Sequence, residues 1–324
     1  MGTTYTTRLE NCIKTVNWTE RLAEELGCEY IINLGDFFDK PDLTSETITA
    51  CNDIEWSNIM HYSLVGNHDA STSSLLFNSA NSLQHSHHKI VTEPSALFLD
   101  DCTICFLPYV LECDRKSLKD YFGKIDTLGK PIVILSHNDI SGIQLGPVMS
   151  KTGFTVEDIE ANCALFINGH LHNGQQLTNK IINLGNITGK DFGEDAFRHS
   201  HNVAVLDTAT LEITFIENPY AFNFYKVNIT DDADLLKLST LKDNAIVSIK
   251  CEHKLLNKVK EFVKQQPNII EHRIIITRTL IDTDEEEASV KELQVDHLAR
   301  FVECCRATID NTQLLEEEIA EICK

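Results

Sequence analysis

The chain has no apolar run approaching the roughly 18 residues that a membrane-spanning helix needs, and its opening MGTTYTTRLE carries neither the basic nor the apolar segment of a secretory leader. These absences point away from the membrane and toward a cytoplasmic protein. Positive charge is scarce as well: 28 Lys and Arg stand against 49 Asp and Glu, a formal net charge of -21. A chain so acidic does not capture nucleic acid by its overall field, because phosphate contacts need clustered Lys and Arg. Any grip on DNA has to be local or be supplied by a partner. No internal repeat and no low-complexity segment is found.

Cysteine is plentiful, but paired cysteine motifs are not. Of 11 cysteines, scattered mostly through apolar patterns, only Cys102 and Cys105 form a CxxC, and no second pair completes a zinc site. Buried thiols in a reducing compartment are the expectation. With 324 residues and 42% hydrophobic content, the chain is long enough for one large domain and a smaller one.

Leu9, Ile13, Val16, Leu22 and Leu26 lie close to helical spacing and Gly27 follows, which predicts an amphipathic helix over 6–26 with its apolar face buried. After it come four apolar strands, each ending in a polar turn: YIINL before Gly35-Asp36, MHYSLV before Gly66-Asn67-His68-Asp69, PIVIL before Ser136-His137-Asn138, and CALFIN before Gly169-His170-Leu171-His172. Buried-type strands ending in loops loaded with Asp, Asn and His describe an α/β sheet whose ligands gather beyond the strand ends. KIINLGNI, HNVAVLD and LEITFIEN read as further strands, punctuated by Asn218-Pro219. The fold class expected is α/β: a two-sheet β-sandwich flanked by helices over 1–227, a small strand-helix-strand capping domain over 228–281, and C-terminal helices over 282–324. In the last segment Val295, Leu298, Val302, Cys305 and Ile309 alternate spacings of three and four behind an acidic run. That stripe reads either as a partner-binding arm or as a helix packing on its own domain.

Two divalent metals that activate water against a phosphate ester need hard oxygen ligands, neutral imidazoles and one bridging carboxylate. Asp36 suits the bridge, Asn67 offers an amide oxygen, and His137, His170 and His172 offer ring nitrogens. The i, i+2 spacing of the last pair puts both rings on one side of an extended segment. His68, between Asn67 and Asp69, lies beside the metals rather than on them. Held by Asp69, it is placed to stay protonated and to give a proton to the leaving alkoxide. A Gly-Asp turn alone is commonplace, whereas Gly-Asn-His-Asp and Gly-His-x-His after a strand are rare. The ordered set is the signal. His85, His87 and His88 read as solvated loop residues, and His199 and His201 are undecided.

This set, GD, GNHD, H and GHxH in that order, resembles the calcineurin-like metallophosphoesterases over roughly residues 1–227. The run LPYVLE at 107–112 and the segment INLGNITGKDFGED are similar to stretches of SbcD-type DNA double-strand-break repair nucleases. The resemblance implies that Asp36, Asn67, His137 and His170 hold one metal, that Asp36 and His172 help hold the other, and that His68 is the catalytic histidine. It also implies Mn²⁺, with Mg²⁺ as the alternative. The partners implied are DNA, an SMC-like coiled-coil ATPase of the SbcC type held by the C-terminal helices, and a second copy in a homodimer. The chain departs from the pattern in one respect: the family opens with a strand ending in Asp-x-His, and nothing before Asp36 supplies it. A start downstream of the family's is the favoured reading, a degenerate site the other, and weak or absent two-metal catalysis follows for the chain as written. The leading functional expectation is a Mn²⁺-dependent DNA nuclease subunit. The others are a small-molecule phosphodiesterase or phosphatase on the same core, and a non-catalytic scaffold with an incomplete metal site.

Overall fold

The structure, a computed structural model, describes residues 5–71, 74–83, 86–145 and 148–277. Helix α1 (Thr7–Glu25) is bounded by two capping devices. At its start the Thr6 hydroxyl accepts from the Leu9 N–H at 3.3 Å. At its end Gly27, at φ 68°, lets its own N–H reach the Glu24 carbonyl (3.1 Å) and that of Cys28 reach the Ala23 carbonyl (2.9 Å). This is a Schellman closure, which a residue without Cβ adopts at little cost.

The helix is where the periodicity places it, but its buried face is different. Asn11, Thr15, Glu20 and Ala23 are the buried residues, while Leu9, Ile13, Val16 and Leu22 are only partly covered and Leu26 is exposed. Partners for the polar groups explain the choice. Asn218 Nδ2 donates to Thr15 Oγ1 at 3.0 Å, Asn11 Nδ2 donates to the Tyr220 carbonyl, and the Glu20 carboxylate receives Ser57 Oγ at 2.7 Å and faces His61 Nε2 at 2.9 Å. Buried polar groups are tolerated where each finds such a partner.

Strands β1 (Tyr30–Asn33), β2 (Met60–Leu64) and β3 (His88–Val91) pair in parallel, with α2 (Ser45–Asn52) in the connection between the first two. The chain then runs through β4 (Ser95–Phe98), β5 (Thr103–Leu107), α3 (Leu118–Phe122), β6 (Ile132–Ser136), the short hairpin β7 (Gln144–Leu145) and β8 (Val148–Met149), α4 (Val156–Asn162), β9 (Leu165–Asn168), β10 (Gln175–Gln176) and β11 (Ile181–Asn183). Six of these strands form a sheet of order β10-β11-β9-β6-β5-β4, parallel through β11, β9, β6 and β5 and antiparallel at both edges.

Their apolar runs are continuous because both faces are buried. Cys105, Leu107, Ile134 and Phe166 pack with Leu118, Phe122 and Ile159 of α3 and α4 on one face. Ile104, Phe106, Val133, Leu135 and Ile167 pack with Tyr62, Leu64 and Val91 of the first sheet on the other. Cys102 and Cys105 are core thiols, and burial pushes that of Cys105 up to about 12. The eight described cysteines are all free.

The antiparallel pair β12 (Asn202–Leu206) and β13 (Ile213–Glu217) precedes a third sheet, order β14-β15-β16, made of β14 (Asn223–Ile229), β15 (Ala245–Glu252) and β16 (Ile269–Thr277). Helices α5 (Leu236–Ser239) and α6 (Leu256–Lys264) accompany it, with Leu238, Val259 and Val263 packed on Tyr225, Val247 and Ile249. The expected strand-helix-strand unit is β15-α6-β16, and residue 227 falls inside β14. By contacts the chain divides into Met1–Ile276 and Thr277–Lys324. The acidic run and the C-terminal stripe lie outside the described residues. Among the described residues the protein is mixed α/β, with mostly parallel sheets and six α-helices, and no helix is long and apolar enough to cross a membrane.

The histidine tract differs from expectation. His85 lies outside the described residues and His87 is partly buried, but His88 opens β3 with only 3% of its surface exposed, its Nε2 2.8 Å from Ser63 Oγ. Pairing with His61 across the β2-β3 register draws it inward beneath the aromatic lid of Trp56.

Candidate metal centre

Four strand ends converge. β1 leads into Gly35-Asp36, β2 into Gly66-Asn67-His68-Asp69, β6 into His137 and β9 into Gly169-His170, so side chains far apart in sequence meet beyond the carboxyl ends of parallel strands. The first turn is tight: Gly35 has φ 106° and Asp36 φ 53°. A Cβ on Gly35 would run into the His137 ring, and one on Gly66 would run into the Asp36 carboxylate. Both glycines are needed for these loops to approach one another.

Asp36, His137 and His170 present ligand atoms that all lie within 4.8 Å of one another, the one such group among the described residues. His137 Nε2 is 3.0 Å from Asp36 Oδ2, 3.2 Å from Asn67 Oδ1 and 3.1 Å from His170 Nδ1. The remaining ring nitrogens fix the tautomers. His137 Nδ1 donates to the Leu34 carbonyl at 2.7 Å, and His170 Nε2 lies 3.3 Å from Asp139 Oδ1. Each ring therefore spends its N–H outward and turns a lone pair inward. Two imidazole lone pairs, a carboxylate oxygen and an amide oxygen then face one point, an arrangement of acceptors that repel one another unless a cation lies between them. The donor set fits a divalent metal ion of the kind that takes mixed oxygen and imidazole ligands.

Burial, the largest influence, pushes the Asp36 carboxyl up, but its neighbours His137 and His68 outweigh it and leave it below the usual range. A hydrogen bond from His170 holds Asp139 below it as well. Asp139 was not among the sequence candidates, although it follows His137 by two residues in the same turn. Behind it stands Arg115, 3.8 Å from its carboxylate, ion-paired with Glu112 and lying over the Phe154 ring.

The other predicted residues are placed differently. Asp69 does not hold the His68 ring. Fully buried, it accepts at Oδ2 from the N–H groups of Asp36 (2.8 Å) and Gly66 (3.0 Å), and at Oδ1 from Phe38 N–H (3.1 Å). It ties the first two loops together, and burial raises its carboxyl above the ordinary value. His68 is anchored instead by its backbone N–H on Asp36 Oδ1 (2.9 Å) and its Nδ1 on the Asp39 carbonyl (3.2 Å). His172 stands outside the metal group: its Nδ1 is 3.5 Å from Glu194 Oε1, and that buried carboxylate also lies 3.8 Å from His201 Nε2. The undecided His201 is thus buried, its Nδ1 donating to the Asn186 carbonyl. His199 is partly buried. Glu194 sits in the quoted segment ending FGED, but no spacing in the sequence pairs it with His172.

Comparison with models of known protein families and with curated proteins finds no match for this chain.

Proposed function

We propose that this chain hydrolyses phosphodiesters with a divalent metal, as the DNA nuclease subunit of an SbcCD-type repair complex. The observation that carries the reading is the convergence of Asp36, Asn67, His137 and His170 from four separate strand ends with their acceptor atoms turned inward. The shared apolar core of the first sheet and the six-stranded sheet supports reading the fold as a two-sheet sandwich flanked by helices, with β14-β16 and its helices as a small cap.

In this reading Asp36, Asn67, His137 and His170 hold one ion, Mn²⁺ or Mg²⁺, and Asp36 and His172 contribute to a second. A bound ion would supply Lewis acidity toward the phosphoryl oxygen and lower the pKa of a bound water. The protein's own residues do the rest. Leu34 and Asp139 hold the ligand rings in the binding tautomer, and Gly35 and Gly66 keep bulk out of the site. His68, with Nδ1 committed to Asp39, has Nε2 left to carry a proton to the leaving oxygen. DNA is gripped locally, as the net charge requires. The segment beyond residue 277 is proposed to recruit the coiled-coil ATPase.

The test is Mn²⁺-dependent release of nucleotides from linear DNA, run beside hydrolysis of a simple aryl phosphate. Weak activity on DNA, lost in Asp36→Ala and His170→Ala, is expected. Activity on the aryl ester alone would reject the nuclease assignment in favour of a small-molecule phosphoesterase. A second reading, a non-catalytic scaffold with one metal position, is favoured by one observation: His172 lies against Glu194, outside the Asp36 group. Binding of a single ion with no turnover on either substrate would select it.

A further inference from the structure

The segment INLGNITGKDFGED contributes no ligand to the Asp36 group, yet one of its residues reaches the loop that carries Asp36. Lys190 Nζ lies 2.5 Å from Asp39 Oδ1, three positions beyond Asp36. The main chain of Lys190 is held on both sides. Its N–H donates to the two oxygens of the Glu194 carboxylate, at 3.1 Å and 3.0 Å, and its carbonyl accepts from Arg8 Nη1 at 2.6 Å. Glu194 is itself buried, and the preceding Gly189, at φ 76°, passes so close to the Phe222 carbonyl that a Cβ would collide with it. The ammonium group therefore extends from a fixed origin.

Asp39 carries that anchor to His68. Its carbonyl lies 3.2 Å from His68 Nδ1, and because a carbonyl oxygen only accepts, Nδ1 holds the hydrogen. The residue before it, Phe38, is fixed by its N–H on Asp69 Oδ1 at 3.1 Å. The Asp39 side chain is tied to Lys190, and that bond holds its carboxyl below the usual range. An ion pair as exposed as this one adds little to folding. Its effect is on where the Asp39 peptide group sits, and so on which nitrogen of His68 is left over.

We propose that Lys190 is a positioning residue: through Asp39 it locks His68 in the Nδ1–H form and reserves Nε2 for the leaving oxygen of the phosphodiester. The inference rests on the metal-dependent reading above and adds to it the contact that selects which nitrogen of His68 acts. As the P–O bond to the leaving group breaks, its electron pair takes the proton from Nε2. His68 is then neutral, with its remaining proton on Nδ1, the form from which the Asp39 carbonyl accepts, and solvent returns a proton to Nε2. An alkoxide leaving group, as in DNA, needs that proton, whereas a nitrophenolate departs without it. Lys190 therefore matters for one class of ester and not for the other.

The first measurement needs no turnover. Nitrogen–proton correlation spectra of the histidine-labelled full chain are recorded with Mg²⁺, which is diamagnetic, at about pH 9, above the ordinary histidine range, and His68 is assigned by its loss in His68→Gln. Wild type should show His68 as the Nδ1–H form; Lys190→Ala and Asp39→Ala should each shift it toward Nε2–H, and Lys190→Arg should restore it. The second measurement is kinetic, with Mn²⁺. In Lys190→Ala, kcat on linear DNA should fall about 10-fold, while KM for DNA and kcat on bis(4-nitrophenyl) phosphate stay within about twofold of wild type. An unchanged tautomer in Lys190→Ala, or a wild-type His68 protonated on Nε2, overturns the proposal alone. So does a higher KM for DNA at constant kcat, which would make Lys190 a phosphate contact, or an equal loss on both esters, which would make its role structural. If the tautomer responds but wild type hydrolyses neither ester, the metal-dependent reading fails, and the assignment of Lys190 to a proton transfer falls with it.

Discussion

Asp139 is the sharpest place to test the proposed centre, because it touches His170 of the Asp36 group without belonging to that group. Its Oδ1 lies 3.3 Å from His170 Nε2, and its other oxygen faces Arg115 at 3.8 Å. Replacing it with Ala leaves His170 free to rotate and to carry its proton on the nitrogen that faces His137. Loss of such an outer partner weakens metal binding by about 10- to 100-fold, or roughly 1.4 to 2.7 kcal/mol. Asp139→Asn keeps an acceptor oxygen but loses its charge, so it should fall between Ala and wild type. Folding stability should change little, since the Asp139 carboxylate is partly exposed and such ion pairs are worth about 0 to 1 kcal/mol. Mn²⁺ titration followed by electron paramagnetic resonance of the free ion, with circular dichroism as the control for folding, measures both. An Ala variant that binds Mn²⁺ within about twofold of wild type would show that the ring orientation does not depend on this contact, and the tautomer argument would fail with it.

Three further outcomes follow from the same geometry. Asp69→Ala strands the buried N–H groups of Asp36, Gly66 and Phe38, so urea unfolding should show a loss of about 3 to 5 kcal/mol; a loss under about 1 kcal/mol would contradict the tie between loops. Gly66→Ala drives a methyl group into the Asp36 carboxylate, and titration should show Mn²⁺ affinity reduced by at least about 10-fold, in line with the cost of overpacking. At Glu20, burial is the largest influence and pushes the carboxyl up, but hydrogen bonds from His61 and Ser57 outweigh it and leave a value below the ordinary 4.5. A folded-state value below the unfolded one contributes stability that is complete above the unfolded value and disappears as pH falls through the folded one. Glu20→Gln should therefore be less stable at neutral pH and lose less than wild type on acidification below about 4.5, read from urea midpoints; parallel profiles would refute it.

The strands that carry the site were readable because they are covered on both faces: Ile104, Cys105, Phe106 and Leu107 alternate between two cores and leave an unbroken apolar run. The polar turns at their ends stood out against those runs. Spacing also located α1, since periodicity and the glycine stop are local properties. It could not locate the buried face, because Asn11, Thr15 and Glu20 are inside only by virtue of Tyr220, Asn218, Ser57 and His61. The same limit explains Asp69, whose partners are main-chain N–H groups that no side-chain pattern encodes, and Glu194, which meets His172 from 22 positions further along the chain. His88 was obscured by its polar neighbours, although it begins a strand.

Asp69 also constrains evolution of this loop in a way that residue identity does not express. Its carboxylate closes back on Gly66 N–H three positions earlier while reaching the Asp36 turn, so the number of residues between the two is a measured length. Inserting or deleting one residue in that stretch would misplace Asn67 as surely as replacing it, even with every ligand type retained. Variation here is open to side chains that face solvent and closed to changes of length.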